Sequence, residues 1–257
     1  MTGDSPDVYP IGQKMERLVT ALYRALRERS RRLKPETRVA EDVFADIQRR
    51  KGWGGTESVS GTGSDFDQVR ALVSKLPGVF RDLQVETVLD VPCGDFHWMR
   101  TVDLSGIRYI GADIVTDLVR SNQSRYGTGR IEFTRLDIVR DRAPCVDLIF
   151  CRDCLVHLSF EEVFRALKNV CASGSTYLLT TTFPARSRNS DIQTGQWRPL
   201  NFVAQPFSLP EPILLLDEKC TENDGAYADK SLGLWRVEDL RDPVFIGSRT
   251  TRRASWT

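Results

Sequence analysis

The sequence predicts an α/β protein with a doubly wound, mostly parallel sheet. Between residues 87 and 183, short apolar runs typical of strands alternate with segments of helical periodicity. Strand and helix in alternation indicate parallel pairing with right-handed crossovers. In addition, aspartates stand where several of the apolar runs end. That is the edge at which an open α/β sheet binds its ligands.

Seven segments have the composition of strands. Five of them alternate with helices: TVLDV (87–91), RYIGADI (108–114), RIEFTRLDI (130–138), VDLIFCR (146–152) and STYLLTTTF (175–183). Two more, ILLLDEKC (213–220) and SLGLWRV (231–237), resemble a closing antiparallel pair. The connection from the third strand to the fourth is too short, and too interrupted by proline, for a good helix.

Helices are predicted where apolar residues recur at helical spacing. The segments are 13–33, 41–50, 65–76, 96–102, 115–127 and 159–170. Ser64 is placed to cap the helix that follows it, and Gly127 to end the helix before it. Ser159 and Glu162 have the spacing of a capping box.

The chain divides by composition into three parts. Residues 1–50 are predicted to form an N-terminal helical extension, residues 51–64 a glycine-rich lid loop, and residues 65–257 the main domain. A flexible linker is the alternative for 51–64; Trp53 and the polar centre at 57–60 favour an ordered lid. The arginine-rich helix at 13–33 is expected to bury its apolar face on the domain, with nucleic-acid contact as the alternative.

Composition excludes several classes of protein. The 257 residues carry a net charge of +1, whereas polyanion-binding proteins usually have a strong basic excess. No apolar run is long enough to span a bilayer, and no secretory signal is visible, so we expect a cytoplasmic protein. The six cysteines are expected to be free thiols.

Three aspartates at successive strand ends predict a nucleoside site. Asp90 ends the first strand and is followed by a turn that contains Gly94. Asp113, about twenty residues after the glycine turn, is placed to accept both hydroxyls of a ribose. Asp137 can accept a hydrogen bond from an exocyclic amine such as that of adenine. The G-x-G-x-x-G spacing of a pyrophosphate site is absent. The pattern therefore favours an adenosine without a diphosphate.

These motifs resemble those of class I S-adenosylmethionine-dependent methyltransferases of the small-molecule, type 11/12-like branch. In that family an acidic residue and G-x-G follow the first strand; here Asp90 is followed by Pro92-Cys93-Gly94. Asp113 and Asp137 match the acids of the second and third motifs, and VDLIFCRDCLVHLSFEEV resembles the fourth-strand segment. The resemblance covers about residues 87–183 and the C-terminal strand pair. It implies a seven-stranded sheet, a Rossmann-like methyltransferase fold and S-adenosyl-L-methionine as cofactor.

The resemblance also implies which residues bind the cofactor. They are Asp90, Pro92, Cys93, Gly94, Asp95, Trp98, Asp113, Ile114, Asp137, Ile138, Cys151 and Arg152. For Trp98 the alternative to covering the adenine is a place in the core. Pro92 departs from the family pattern because it replaces the first glycine and removes an amide donor. The cofactor presents an ammonium and a sulfonium at this loop, and both favour carbonyl and carboxylate partners. A loop with few amides therefore suits this cofactor better than a dinucleotide.

His157 and Asp153 are the candidate catalytic residues. A hydroxyl acceptor needs a base, and imidazole has a suitable pKa, although a histidine beside a helix cap can also be structural. Arginines and Trp197 follow the fifth strand, where acceptors usually bind. They suggest a sugar-like or anionic small molecule, with solvated loop charges as the alternative.

Cys93, Cys151, Cys154 and His157 raise a second possibility, a thiolate metal or redox site. The plainer interpretation is that the cysteines pack in the core, since buried thiols are common, and we predict no metal ion.

The function predicted from these observations is methyl transfer from S-adenosylmethionine to a small polar acceptor. The favoured acceptor atom is an oxygen of a sugar, a carbohydrate precursor or a natural-product precursor. A non-catalytic protein that binds the cofactor is the alternative, and the missing glycine fingerprint disfavours a nicotinamide-dependent dehydrogenase.

Overall fold

The computed structural model describes residues 40–241, and the helix predicted at 13–33 lies outside this part of the chain. Residues 40–241 contain seven strands: β1 (Thr87–Asp90), β2 (Arg108–Asp113), β3 (Ile131–Arg135), β4 (Leu148–Cys151), β5 (Tyr177–Thr182), β6 (Leu214–Asp217) and β7 (Ser231–Arg236). The same range contains four α-helices: α1 (Ala40–Arg49), α2 (Phe66–Asp82), α3 (Thr116–Tyr126) and α4 (Phe160–Ser173).

The strands form one sheet in the order β3-β2-β1-β4-β5-β7-β6. β1 pairs in parallel with β2 and β4, and the parallel pairing continues to β3 on one side and β5 on the other. β7 is antiparallel to both β5 and β6. The predicted seven-stranded, mostly parallel sheet with a closing antiparallel pair is confirmed. Strand order reverses between β1 and β4, which is where such a fold binds ligands.

Both faces of the sheet are covered, so the central strands are apolar throughout. In β4, Leu148 and Phe150 belong to one core cluster and Ile149 and Cys151 to the other. This alternation follows from the two-residue period of a strand. The buried face of α2 contributes to the first cluster and that of α4 to the second.

Helix ends follow the predicted chemistry in part. Ser159 Oγ accepts a hydrogen bond from the Glu162 amide at 3.3 Å, and the reciprocal bond completes the capping box. Ser64 does not cap α2, because Asp65 is the N-cap residue. The amide of Phe66 donates to Glu57 Oε2 instead, at 2.8 Å, so a lid residue serves this helix end.

The helix predicted at 96–102 is wrong. Only Met99–Thr101 forms a short 3₁₀ turn there. Phe96 has φ +58°, outside the helical region, and the Asp95 carboxylate takes the amide of His97. The connection from β3 to β4 contains no helix, as expected. No helix within residues 40–241 is long and apolar enough to cross a membrane.

Candidate functional site

A cavity lies at the carboxyl ends of the parallel strands. The loop after β1, the end of β2 with the start of α3, the segment after β3 and the end of β4 form its floor and sides. The lid loop and one face of α1 complete it. Every predicted site residue except Cys151 lines this cavity, including His157 and Asp153.

The loop after β1 has few amides left for a ligand. The Val91 amide donates to Phe150 O at 2.9 Å, and the Cys93 amide donates to Ala112 O at 2.8 Å. Pro92 has no amide proton, and the Gly94 amide donates to Asp113 Oδ2 at 3.2 Å. These amides, which a phosphate would need as hydrogen-bond donors, are thus already bonded to groups on the neighbouring strands.

Asp90 is a buried acid that lines the cavity. Its carboxylate accepts a short hydrogen bond from the Tyr109 hydroxyl. Burial raises the pKa of Asp90 to about 8; the Tyr109 hydrogen bond opposes this rise and the nearby Asp113 adds to it. A cation that enters the cavity would favour the ionised form of Asp90 and be paired by it.

Asp113 and Asp137 are held by backbone amides after β2 and β3. Asp113 accepts from the Val115 and Gly94 amides, and burial raises its pKa to about 6 against these bonds. Asp137 accepts from the Val139 amide at 2.9 Å. Each carboxylate keeps lone pairs beyond the one that each amide uses.

The three acids have little cationic compensation within residues 40–241. In this part of the chain no ion pair reaches Asp90 or Asp113, and Asp137 has only the exposed Arg140 at 3.8 Å. Among the described residues, Arg152 is the one lysine or arginine that lines the cavity, and its charge is used elsewhere. The cavity is therefore suited to a cationic ligand.

The lid loop is ordered by contacts across the cavity. Ser58 Oγ donates to the Asp95 carboxylate at 2.9 Å, and the Val59 amide donates to it at 3.0 Å. Asp95 therefore anchors the lid, and its carboxylate is not free in the way the sequence suggested. Ser60 and Ser64 line the cavity from the lid side.

The lid approaches the β1 loop at a glycine. Gly94 has φ +55°, and an added Cβ there would overlap Ser60 Oγ. Glycine is therefore required both by the backbone conformation and by the space left under Ser60.

A buried charge cluster fixes the other end of the lid. Arg152 donates to Glu218 Oε2 at 2.7 Å and to the Gly63 carbonyl at 2.8 Å. Lys230 Nζ lies 2.7 Å from Asp153 Oδ2, and Thr62 Oγ1 donates to Glu222 Oε1 at 2.6 Å. The β6–β7 connection is thus joined to β4 and to the lid. Sequence reasoning missed Glu218 and Lys230 because no local pattern marks them.

Asp153 is held in ion pairs with Lys230 and Arg152. Burial favours its neutral form, but Lys230 and Arg152 outweigh this effect and hold the pKa of its carboxyl well below the usual range. A carboxylate in contact with two cations has little tendency to accept a proton. The catalytic role predicted for Asp153 is not supported by this arrangement.

The ring of His157 is held in one neutral tautomer. Its Nδ1 lies 3.0 Å from the Gln196 carbonyl oxygen, which can only accept, so in the neutral ring Nδ1 carries the proton and Nε2 bears the lone pair. Burial lowers the pKa of His157 and thereby keeps the ring neutral at pH 7. The ring of Trp53 lies 5.5 Å from that of His157.

Helix α1 covers the cavity, although the predicted boundary at residue 50 separates it from the main domain. Its Ala40, Phe44 and Gln48 line the cavity at intervals of four residues, so they share one helix face. Glu41 accepts from Thr116 Oγ1 at 2.7 Å and pairs with Arg135. The apolar spacing in 41–50 was the only sequence signal for this role.

The remaining candidate residues, Cys151 and Trp98, pack against other side chains of the protein. Cys151 is fully buried in the core and does not line the cavity, so the cofactor-binding role predicted for it is not supported. Trp98 packs under the Arg152 guanidinium, 5.5 Å from ring centre to Cζ. Within residues 40–241, no three His, Cys, Asp or Glu side chains are arranged to hold a metal ion. The geometry thus gives no support to the thiolate site.

The arginines after β5 do not reach the cavity. Arg198 is buried and donates to the carbonyls of Leu155, Leu158 and Ser190. Arg186 binds the Ala226 carbonyl and Asp229. These side chains hold the loop in place, and Arg198 in particular fixes the turn that carries His157.

Several solved methyltransferase structures have a fold similar to that of this chain. The human N-acetylserotonin methyltransferase in complex with S-adenosylmethionine matches with a TM-score of 0.53 at 15% identity, over 77% of this chain and 60% of that one. The Haemonchus contortus phosphoethanolamine N-methyltransferase 1 matches at 0.56 and 14% identity, over 80% and 53%. The Burkholderia thailandensis 1,6-didemethyltoxoflavin-N1-methyltransferase matches at 0.53 and 13% identity, over 79% and 92%.

This chain therefore spans 60% and 53% of the length of the first two of these proteins. No family model and no curated protein sequence matches it. The chain has the fold of the class I S-adenosylmethionine-dependent methyltransferases, as the resemblance of its motifs implied.

Proposed function

We propose that this protein is an S-adenosylmethionine-dependent methyltransferase that methylates an oxygen of a small molecule. The observation that carries the proposal is the acid-lined cavity at the strand ends, where the described residues offer few free loop amides and no free cation. Such a cavity suits a cationic nucleoside and disfavours a nucleotide or dinucleotide.

The residues present fit this cofactor group by group. In this proposal Asp113 binds the ribose hydroxyls and Asp137 the adenine amine, with Ile114 and Ile138, which also line the cavity, packing beside them. Asp90 binds the ammonium, because a buried carboxylate without a cationic partner is stabilised by one. The hydroxyls of Ser60 and Ser64 are donors on the lid for the carboxylate of the methionyl group.

The bound cofactor supplies an electrophilic methyl group on a sulfonium. The task of the protein is then to orient an acceptor oxygen and to remove its proton. His157 Nε2 receives that proton, and the Gln196 carbonyl holds the ring in the required tautomer. The lid and α1 exclude water from the reacting atoms.

A thermal-shift comparison of four ligands tests the proposal. We expect S-adenosylmethionine and S-adenosylhomocysteine to raise the melting temperature, and NAD and ATP to have no comparable effect. Stronger stabilisation by NAD or ATP would show that the cavity accepts phosphates after all. Binding of S-adenosylhomocysteine without any methyl transfer across a broad acceptor panel would instead favour the non-catalytic alternative.

A further inference from the structure

The part of the cavity around His157 has an aromatic wall, which we define as Phe44, Trp53 and His157. The ring centres of Phe44 and Trp53 are 6.3 Å apart, and those of Trp53 and His157 are 5.5 Å apart. All three residues line the cavity and none is fully buried, so their rings keep surface for a ligand. Leu158 and Cys154 line the same region.

The aromatic wall is well anchored. An added Cβ at Gly61, which has φ +99°, would lie 2.7 Å from Trp53 Cβ, so this glycine lets Trp53 pack directly on the lid backbone. Arg198 fixes the turn of His157 through the carbonyls of Leu155 and Leu158. A wall of this kind is preorganised, so a ligand that binds to it orders few side chains.

Anionic acceptors find no free cationic partner among the described residues of this region. The Nε and both terminal nitrogens of Arg152 are engaged by Glu218, Gly63 O and Asp153. Lys230 is buried among Asp153, Glu218 and Glu222. A phosphate or carboxylate would have to break these buried pairs, and breaking a buried pair costs about 3–5 kcal/mol.

A sugar would also find too few hydrogen-bond partners in this region. Of the described side chains that line this region, Gln48, His157 and the indole N–H of Trp53 are the polar groups that remain once Asp153 is paired with Lys230 and Arg152. A polyol has several hydroxyls, and each one buried without a partner costs about 1–3 kcal/mol. A flat apolar ring with one hydroxyl matches the wall and the single base.

We infer that the acceptor is an uncharged, flat, hydroxyl-bearing ring, such as a phenol or enol, that packs on the aromatic wall with its hydroxyl at His157. This inference rests on the proposed function and favours a different acceptor from the sugar or anion expected from the sequence. His157 Nε2 takes the hydroxyl proton while the oxygen bonds to the methyl carbon. The sulfur–methyl bond breaks at the same time and leaves a neutral thioether.

The test measures ligand binding by saturation-transfer NMR, with the full chain saturated with S-adenosylhomocysteine. The probes are matched sets: neutral phenols, the same phenols as phosphate esters, aromatic amines and simple sugars. We expect the neutral phenols to bind, and Trp53→Leu to weaken their binding by about tenfold or more. Trp197→Leu is the matched control, since Trp197 is an exposed tryptophan that does not line the cavity.

Preferential binding of phosphate esters, amines or sugars would overturn the inference, and so would no binding of phenols to the saturated protein. Equal effects of Trp53→Leu and Trp197→Leu also contradict it. Phe44→Leu serves as a second wall variant if Trp53→Leu does not fold. Failure of the proposed function is distinguishable: without a cofactor site the protein would not bind S-adenosylhomocysteine in the first step, and a non-catalytic protein would bind it but transfer no methyl group in the acceptor panel above.

Discussion

Among single residues, the buried acid Asp90 has opposite effects on stability and on binding: its ionised form destabilises the ligand-free fold but would bind a cationic ligand. Its pKa is raised to about 8 in the folded protein, above the value of about 3.9 in an unfolded chain. The folded state therefore holds the proton more tightly, so Asp90 contributes stability at low pH that is lost as pH rises from about 4 to about 8. Ionisation of Asp90 destabilises the ligand-free fold at neutral pH. A bound cation would offset this loss of stability, which gives a reason for the buried acid.

The variant Asp90→Asn tests this conflict. The amide keeps an oxygen for the Tyr109 hydroxyl but cannot ionise, so the melting temperature of the ligand-free variant should exceed that of wild type increasingly from about pH 5 to about pH 8. Affinity for S-adenosylhomocysteine should fall by about tenfold or more, since a charge-assisted contact is lost. A difference in melting temperature that is independent of pH would mean that Asp90 is not the titrating group.

His157 leads to a prediction about the pH dependence of turnover. Burial lowers its pKa below the ordinary value, so the neutral, basic form is already present below about pH 6.5. With saturating cofactor and acceptor, kcat should rise with pH on an acidic limb below that value and be flat at about pH 7–8. In His157→Gln the limb should vanish and kcat should fall by about 10²–10⁴-fold. An unchanged pH profile in the variant assigns His157 a structural role.

At the scale of elements, the lid and α1 turn an open strand edge into a closed site. The lid is attached at both ends, by Asp95 near the β1 loop and by Arg152 near β4. α1 is attached through Glu41 to Thr116 and Arg135. These contacts join segments that are far apart in the chain, which is why the sequence showed the lid but not what it touches.

Gly94→Ala isolates the contact of the lid with the β1 loop. The substitution introduces a Cβ into the space of Ser60 Oγ, so we expect weaker binding of S-adenosylhomocysteine and faster amide hydrogen exchange in residues 51–64. Gly106→Ala is the matched control, because Gly106 also has positive φ, +82°, but no described atom lies within 4 Å of an added Cβ. Both variants should lose stability from backbone strain, about 1–2 kcal/mol. Only Gly94→Ala should open the lid, and Ser60→Gly in that background should restore closure.

At the scale of the whole molecule, the sequence was sufficient for the sheet and for the acids. Strand periodicity and alternation with helices are local signals, so the sequence alone predicts Asp90, Asp113 and Asp137 at strand ends. The roles of Arg152 and Asp153 could not be predicted, because they depend on Glu218 and Lys230, which are 66 and 77 residues away in the chain. Likewise, the arginines after β5 suggested a ligand site, whereas most of their partners are backbone carbonyls of nearby loops and turns.

The buried charge cluster yields a prediction for the whole fold. Glu218→Gln leaves Arg152 and Lys230 with one carboxylate fewer, and breaking a buried pair costs about 3–5 kcal/mol. Urea unfolding should show a loss of this size. Glu132→Gln, which breaks the exposed Arg108–Glu132 pair, should cost less than about 1 kcal/mol. Equal losses in the two variants would show that the cluster does not join the β6–β7 connection to the rest of the domain.

We propose that the acids at the strand ends bind the adenosine and the methionyl end of S-adenosylmethionine. The measurement that tests this claim is calorimetric titration of the full chain with S-adenosylhomocysteine, in wild type, Asp113→Ala and Pro92→Gly. We predict one-to-one binding to wild type. Asp113→Ala should lose more than about tenfold in affinity, since it removes two hydrogen bonds to the ribose, and Pro92→Gly should stay within about tenfold. No binding heat at millimolar ligand, or the reverse ranking of the two variants, would contradict the claim.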